Sequence, residues 1–149
     1  MGYLTSREIK IWKLRTTTSS QVEIARLLDV SRQAIHKALQ NIDKKVEHAL
    51  LEAAKINNLD VKKVDVVNGI MNAYSPAYRI PVVVSFSKVN GLKVWYLYEG
   101  NCAECNRNRE CTELLKLEAQ ERGIPLNSED ISPSRLAKKM FIDFYEGKF

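Results

Sequence analysis

All three cysteines of the chain fall within ten residues, in Cys102-Ala-Glu-Cys105-Asn-Arg-Asn-Arg-Glu-Cys111. Cys-x-x-Cys spacing makes a knuckle that can turn two thiolates toward one ion, and the polar Asn-Arg stretch can bring Cys111 back to it. Arg107 and Arg109 stand beside these sulfurs, where positive charge favours thiolate over thiol. Residues of this type at this spacing point to Cys102, Cys105 and Cys111 as ligands of zinc or an iron–sulfur cluster. A disulfide or thiol redox pair, and ordinary core cysteines, are the competing readings. A zinc ribbon would carry a second cysteine pair, which is absent. Completion of the site therefore falls to a non-cysteine ligand, water, another subunit or an open iron. Glu104 and Glu110 offer oxygens nearby, whereas both histidines, His36 and His48, lie in the other half of the chain.

A second group of residues has the chemistry of base recognition. Ser20 followed by Glu23 reads as a capping box that opens a helix through Leu28. Ser31 caps another helix that begins at Arg32, and Leu28-Asp29-Val30 leaves room only for a tight turn. Ile24, Leu28, Val30, Ile35 and Ala38 supply an apolar interior, and small Ala25 lets the two helices approach. Ser31, Arg32, Gln33, His36, Lys37 and Gln40 are left at the start and on the outer face of the second helix. This is the layout of a helix-turn-helix whose second helix can enter the major groove of double-stranded DNA. Arg and Gln suit bidentate contacts with guanine and adenine edges.

VSRQAIHKAL resembles the recognition helix of bacterial and archaeal transcription regulators, and LTSREIKIWKLR resembles the first helix of the LuxR/NarL and sigma-factor region-four group. Archaeal Tfx-type DNA-binding proteins share that opening and attach a small C-terminal domain. The resemblance covers about residues 3–56 and implies transcription regulation. One departure is Asp29, where such motifs commonly place Gly. Asp tolerates the left-handed conformation better than most residues.

Other elements must hold these groups in place. Thr5 and Glu8 form a capping box for a first helix, with Ile9, Ile11 and Trp12 or Leu14 on its buried side. After the reading helix, Leu39, Ile42, Val46, Ala49, Ala53 and Ile56 recur at spacings of three and four. Such a stripe offers a coiled-coil-like contact between two chains, or packing on its own chain. A homodimer would match a palindromic operator. Residues 61–98 are then rich in Val, Ile and Tyr. Val82, Val84 and Phe86 share one strand face. Leu92, Val94, Tyr96 and Tyr98 share another, beyond the Asn90-Gly91 hairpin signal. An earlier strand lies within 64–74, where Asn68-Gly69 marks either a turn or a bulge. Two helices close the chain. One spans 112–122, capped by Thr112, burying Leu114, Leu115 and Leu117 and ended by Gly123. The other starts at Ser132-Pro133 and carries Leu136, Ala137, Met140, Phe141, Phe144 and Tyr145 on one face. The expected class is α+β: residues 1–58 form a helical DNA-binding domain with a long connecting helix. Residues 59–149 form a small antiparallel sheet with C-terminal helices.

Charge agrees with that division. The net +5 is uneven, because residues 1–58 hold ten Lys/Arg against six Asp/Glu while residues 59–149 hold thirteen against twelve. Phosphate attraction needs the excess where the reading helix is. No apolar run approaches the roughly 18 residues of a membrane span, and the N-terminus lacks the layout of a secretory signal, so a cytoplasmic protein is expected. No Gly-rich phosphate loop, nucleophile elbow or His-Glu-x-x-His supports an enzyme. The expected function is a sequence-specific transcription regulator with a metal-, redox- or ligand-responsive C-terminal domain. Two alternatives stand beside it: a DNA-binding protein whose cysteine site is structural, acting in assembly or RNA polymerase contact, and a thiol or cluster enzyme targeted to DNA.

Overall fold

Thr5 and Glu8 start the first helix by exchanging hydrogen bonds: Glu8 N–H donates to Thr5 Oγ1 and Thr5 N–H to the Glu8 carboxylate. This satisfies two of the amides that a helix start leaves unpaired. In the computed structural model, which describes residues 3–18, 20–126 and 132–145, α1 is Ser6–Thr17, α2 Gln21–Leu28 and α3 Arg32–Ile56. Four strands follow, β1 (Asp60–Asp65), β2 (Ile70–Ser75), β3 (Ile80–Ser87) and β4 (Gly91–Tyr96), and then α4 (Asn108–Glu121) and α5 (Pro133–Tyr145). The class is α+β, with an N-terminal helical region ahead of an antiparallel sheet and C-terminal helices. No helix among the described residues is long and apolar enough to cross a membrane.

The chain divides into two compact units, Met1–Ala49 and Leu50–Phe149. In the first, Ile11, Trp12, Ile24, Ile35, Leu39, Ile42 and Val46 are buried. Two ion pairs tie α1 to α3 beside that core, Arg15 to Asp43 at 2.7 Å and Lys45 to Glu8 at 2.8 Å. The apolar stripe of α3 is thus committed to the chain's own interior. Leu39, Ile42, Val46, Ala49 and Ala53 are all buried, and only Ile56, 72% exposed, is left outside. The coiled-coil-like contact between chains through this stripe gives way to self-packing, because side chains already out of water have no apolar surface to offer a partner.

In the second unit the sheet is a meander in the order β1-β2-β3-β4. Asn68-Gly69 makes a turn and not a bulge: Asp65 Oδ1 accepts from Asn68 N–H, and Gly69 takes φ 65°. The irregularity lies instead at Val61/Lys63 in β1, a strand that the sequence did not separate from its neighbour. DVKKVD has too little alternation of apolar and polar residues to announce one. Register places Val82 opposite Tyr96, Val84 opposite Val94 and Phe86 opposite Leu92, so the two expected strand faces are one. The opposite face carries Ile70 and Val83, which pack with Leu115 and Ala119 of α4 and with Leu136, Ala137, Met140 and Phe141 of α5. Phe141 lies near the Trp95 ring, with centroids 6.4 Å apart. The side chains of Phe144 and Tyr145 lie outside the described residues.

Helix α4 departs from expectation at its start. It begins at Asn108, four residues before Thr112, and the Thr112 hydroxyl donates inside the helix to the Asn108 carbonyl at 2.9 Å. Nothing in Asn-Arg-Glu-Cys breaks a helix, and Glu110 in the first turn suits the positive end of its dipole. The buried face runs through Leu115, Glu118 and Ala119, leaving Leu117 45% exposed rather than buried. Gly123, at φ 67°, follows the helix end as expected.

Glu118 is fully buried among polar partners. Ser85 Oγ donates to it at 3.2 Å while accepting from Trp95 Nε1 at 3.0 Å, and Arg122 donates to it at 3.1 Å. One turn on, the Glu121 carboxylate accepts from Ser87 Oγ and from the amides of Lys88 and Val89. Two carboxylates on one helix therefore fasten α4 to β3 and the β3–β4 turn. Burial pushes the Glu118 carboxyl above its ordinary range, against the pull of Arg122 and Ser85.

Truncating Ile42 to Ala should lower unfolding free energy by about 2–5 kcal/mol, the range for emptying a closed core site. Urea denaturation followed by circular dichroism checks this. For Glu118 the folded chain holds a proton more tightly than the unfolded chain. Its contribution to stability therefore falls as pH rises from the ordinary carboxylate value of 4.5 through the raised folded one. Glu118→Gln should remove that component of the slope in denaturation midpoints measured across mildly acidic pH.

Candidate nucleic-acid interface and cysteine cluster

Two short caps set the geometry of the α2–α3 pair. Ser20 Oγ accepts from Glu23 N–H at 3.3 Å. The reciprocal half of the expected capping box is not made, because Glu23 pairs with Arg26 instead. Ser31 Oγ accepts from Ala34 N–H at 3.1 Å, and its carbonyl accepts from Ile35 N–H. Between them Asp29 sits at φ 51°, ψ 50°, the left-handed conformation expected of it. The following amide, Val30 N–H, reaches back to the Ala25 carbonyl at 3.0 Å. This is the reversal by which a helix ends and the chain turns sharply.

Burying Ile24, Ala25 and Ile35 fixes the rotation of both helices. With 3.6 residues per turn, that rotation leaves Ser31, Arg32, Gln33, His36, Lys37 and Gln40 exposed together at the start of α3. Arg32, Gln33 and His36 line a shallow concavity of about 300 Å³ with Gln21, the first residue of α2. Sequence reading missed Gln21; its position one residue after the Ser20 cap was the available signal. Arg15, Arg26 and Lys45 have their charge answered by Asp43, Glu23 and Glu8. Arg32 and Lys37 have no ion-pair partner among the described residues. Uncompensated cations, amide groups and an imidazole thus share one exposed face, the donor and acceptor set that base edges and phosphates require.

Cys102 and Cys105 lie in the turn before α4, and Cys111 is in the first turn of α4 itself. Cys102–Glu104 form a 3-10 turn closed by Cys105 N–H to the Cys102 carbonyl at 3.3 Å. Asn108 Nδ2 donates to that same carbonyl at 2.6 Å, and Cys102 Sγ lies 3.5 Å from Ser134 Oγ on α5. Cys105 is exposed, while Cys102 and Cys111 are partly buried, and all three are free thiols. Arg107 and Arg109, expected to favour thiolates, are engaged by Glu110 and Glu113 at 3.0 Å each. Burial pushes the Cys111 thiol upward; Arg107 opposes the rise, and Glu110, Cys105 and Cys102 add to it. Of the two candidate oxygen ligands, Glu104 accepts from Asn101 Nδ2 and Glu110 from Arg107. Among the described residues, no three His, Cys, Asp or Glu side chains converge as a set that could hold a metal ion.

No protein-family model, curated protein or solved structure matches this chain.

The turn at Asp29 yields a stability prediction. An L-residue at positive φ carries a steric cost that Gly lacks. Asp29→Gly should leave stability unchanged or raise it by up to about 1 kcal/mol, and Asp29→Val, with a branched Cβ, should lower it. Thermal melts of the two variants against the parent measure the difference.

Proposed function

We propose that this chain is a sequence-specific DNA-binding transcription regulator that reads double-stranded DNA through the start of α3. The observation that carries the reading is the face of Ser31, Arg32, Gln33, His36, Lys37 and Gln40. All six are exposed: Ser31 caps α3 directly after a tight left-handed turn, and the other five lie on the helix, whose other side is buried. Arg32 and Gln33 lie in the first turn of α3, the part of a recognition helix that meets base edges. Lys37, one turn further along, is placed to meet a phosphate. Excess charge on the N-terminal part of the chain, ten Lys/Arg against six Asp/Glu over residues 1–58, supplies the attraction that holds the helix in the groove. The proposal includes two chains acting together on a two-fold operator, since one such helix spans only a few base pairs. The stripe of α3 is committed to its own core, so the contact between chains would use another surface.

Binding of short duplexes selected from a random library tests this. Arg32→Ala and Gln33→Ala should each cost about 1–3 kcal/mol at the preferred site and relax its specificity. Lys37→Ala should weaken all duplexes alike and reduce the slope of log affinity against log salt by about one ion. Unchanged affinity, specificity and salt slope in all three variants would remove the reading face from the account.

A further inference from the structure

We propose that Cys102 and Cys105 form a reversible disulfide, making this turn a thiol modification site that releases a tie between the turn and α5. The inference stands apart from DNA binding and rests on the turn alone. In a 3-10 turn the side chains at i and i+3 eclipse, and a rise of about 2 Å per residue sets their Cα atoms about 6 Å apart. Disulfides span Cα separations of about 4.4–6.8 Å. Cys102 opens the turn and Cys105 closes it, with its amide bonded to the Cys102 carbonyl. The φ of Cys105, −81°, keeps its Cβ close to the helical direction and so over Cys102. Asn108 holds the turn from below through the Cys102 carbonyl. Shared coordination by all three sulfurs would require Cys111 to join them, whereas a disulfide requires only the pair that the turn already stacks.

The two thiols differ in access. Cys105 is exposed, and Cys102 is partly buried beside Ser134. With hydrogen peroxide as oxidant, the Cys105 thiolate attacks a peroxide oxygen and the O–O bond breaks. This leaves a sulfenic acid on Cys105 and a hydroxide that takes up the proton lost by the thiol. The Cys102 thiolate then attacks the Cys105 sulfur, the S–O bond breaks, and the departing hydroxide takes the Cys102 proton. Two thiols and one peroxide become one disulfide and two waters, the two electrons passing from sulfur to oxygen. Cys102 has then lost the hydrogen it can share with Ser134 Oγ at 3.5 Å. The link between the turn and the first turn of α5 goes with it, and a dithiol restores it.

Trypsin cuts after Lys93, Arg107, Arg109 and Lys116, so peptide 94–107 contains Cys102 and Cys105 while peptide 110–116 contains Cys111. Full-length protein treated with hydrogen peroxide, alkylated and digested should give peptide 94–107 without alkyl groups and two hydrogens lighter, with Cys111 still alkylated. Dithiothreitol beforehand should restore two alkyl groups on 94–107. Amide exchange over 134–137 should rise about two- to fivefold on oxidation, the size expected for one weak hydrogen bond. Ser134→Ala should raise exchange in the reduced protein to the same level and leave disulfide formation intact. Cys105→Ser, confirmed as folded by circular dichroism, should leave Cys102 open to alkylation after peroxide. Two alkyl groups on 94–107 after oxidation, or a disulfide to Cys111, would overturn the proposal. So would one zinc per purified chain shielding all three cysteines, which would assign the cluster to coordination.

Discussion

The structure depends on the burial of one face of α3. Ile35, Leu39, Ile42 and Val46 recur at spacings of three and four, and each is buried. Fully removing side chains of this size from water is worth about 1.5–3 kcal/mol apiece. That is several times the contribution of any exposed ion pair. A helix so committed has no rotational freedom. Once Ile35 faces inward, Arg32, Gln33, His36 and Lys37 have to face outward. The exposed chemistry of the N-terminal unit is thus a consequence of its core. The ion pairs from α1 to Asp43 and Lys45 trim the register of that packing without creating it.

Local chemistry makes much of this readable in the sequence. Ser31 and Ser20 cap because a hydroxyl at a helix start has amides to satisfy, and Asp29 turns because a short polar side chain bears positive φ. Asn90-Gly91 and the alternating Val82-Val84-Phe86 gave a hairpin and its face, since pairing register follows from period and turn. The misses arose where tertiary contacts decide. The start of α4 coincides with a bond from the Asn108 side chain to the Cys102 carbonyl six residues back, which the choice of Thr112 as cap passed over. Glu118, which no sequence pattern singled out, is buried, because Ser85 on β3 and Arg122 one turn along the chain supply its partners. The α3 stripe could have served two chains or one. Periodicity does not distinguish them, and only the packing assigns it to one.

The cysteine-bearing turn and α4 form a continuous mechanical path within the C-terminal unit. Asn108 joins the turn to the start of α4, and Glu118 and Glu121 fasten the other end of that helix to β3 and the β3–β4 turn. Leu115 and Ala119 pack between these anchors against Val83, Met140 and Phe141. The Glu118 and Glu121 carboxyl groups each accept several hydrogen bonds, whereas the Cys102–Ser134 contact is a single weak sulfur one. A chemical change at the sulfurs is therefore absorbed first at the start of α5, and the sheet is held.

The central claim is that the exposed start of α3 reads DNA sequence. Selection of a random-sequence duplex library on the full-length chain, followed by affinity measurement of the enriched and random duplexes at one fixed salt concentration, tests it most directly. The account predicts one enriched motif bound at least about a thousandfold more tightly than random duplex. Equal affinity for the selected and random pools, or no binding to either, would contradict it.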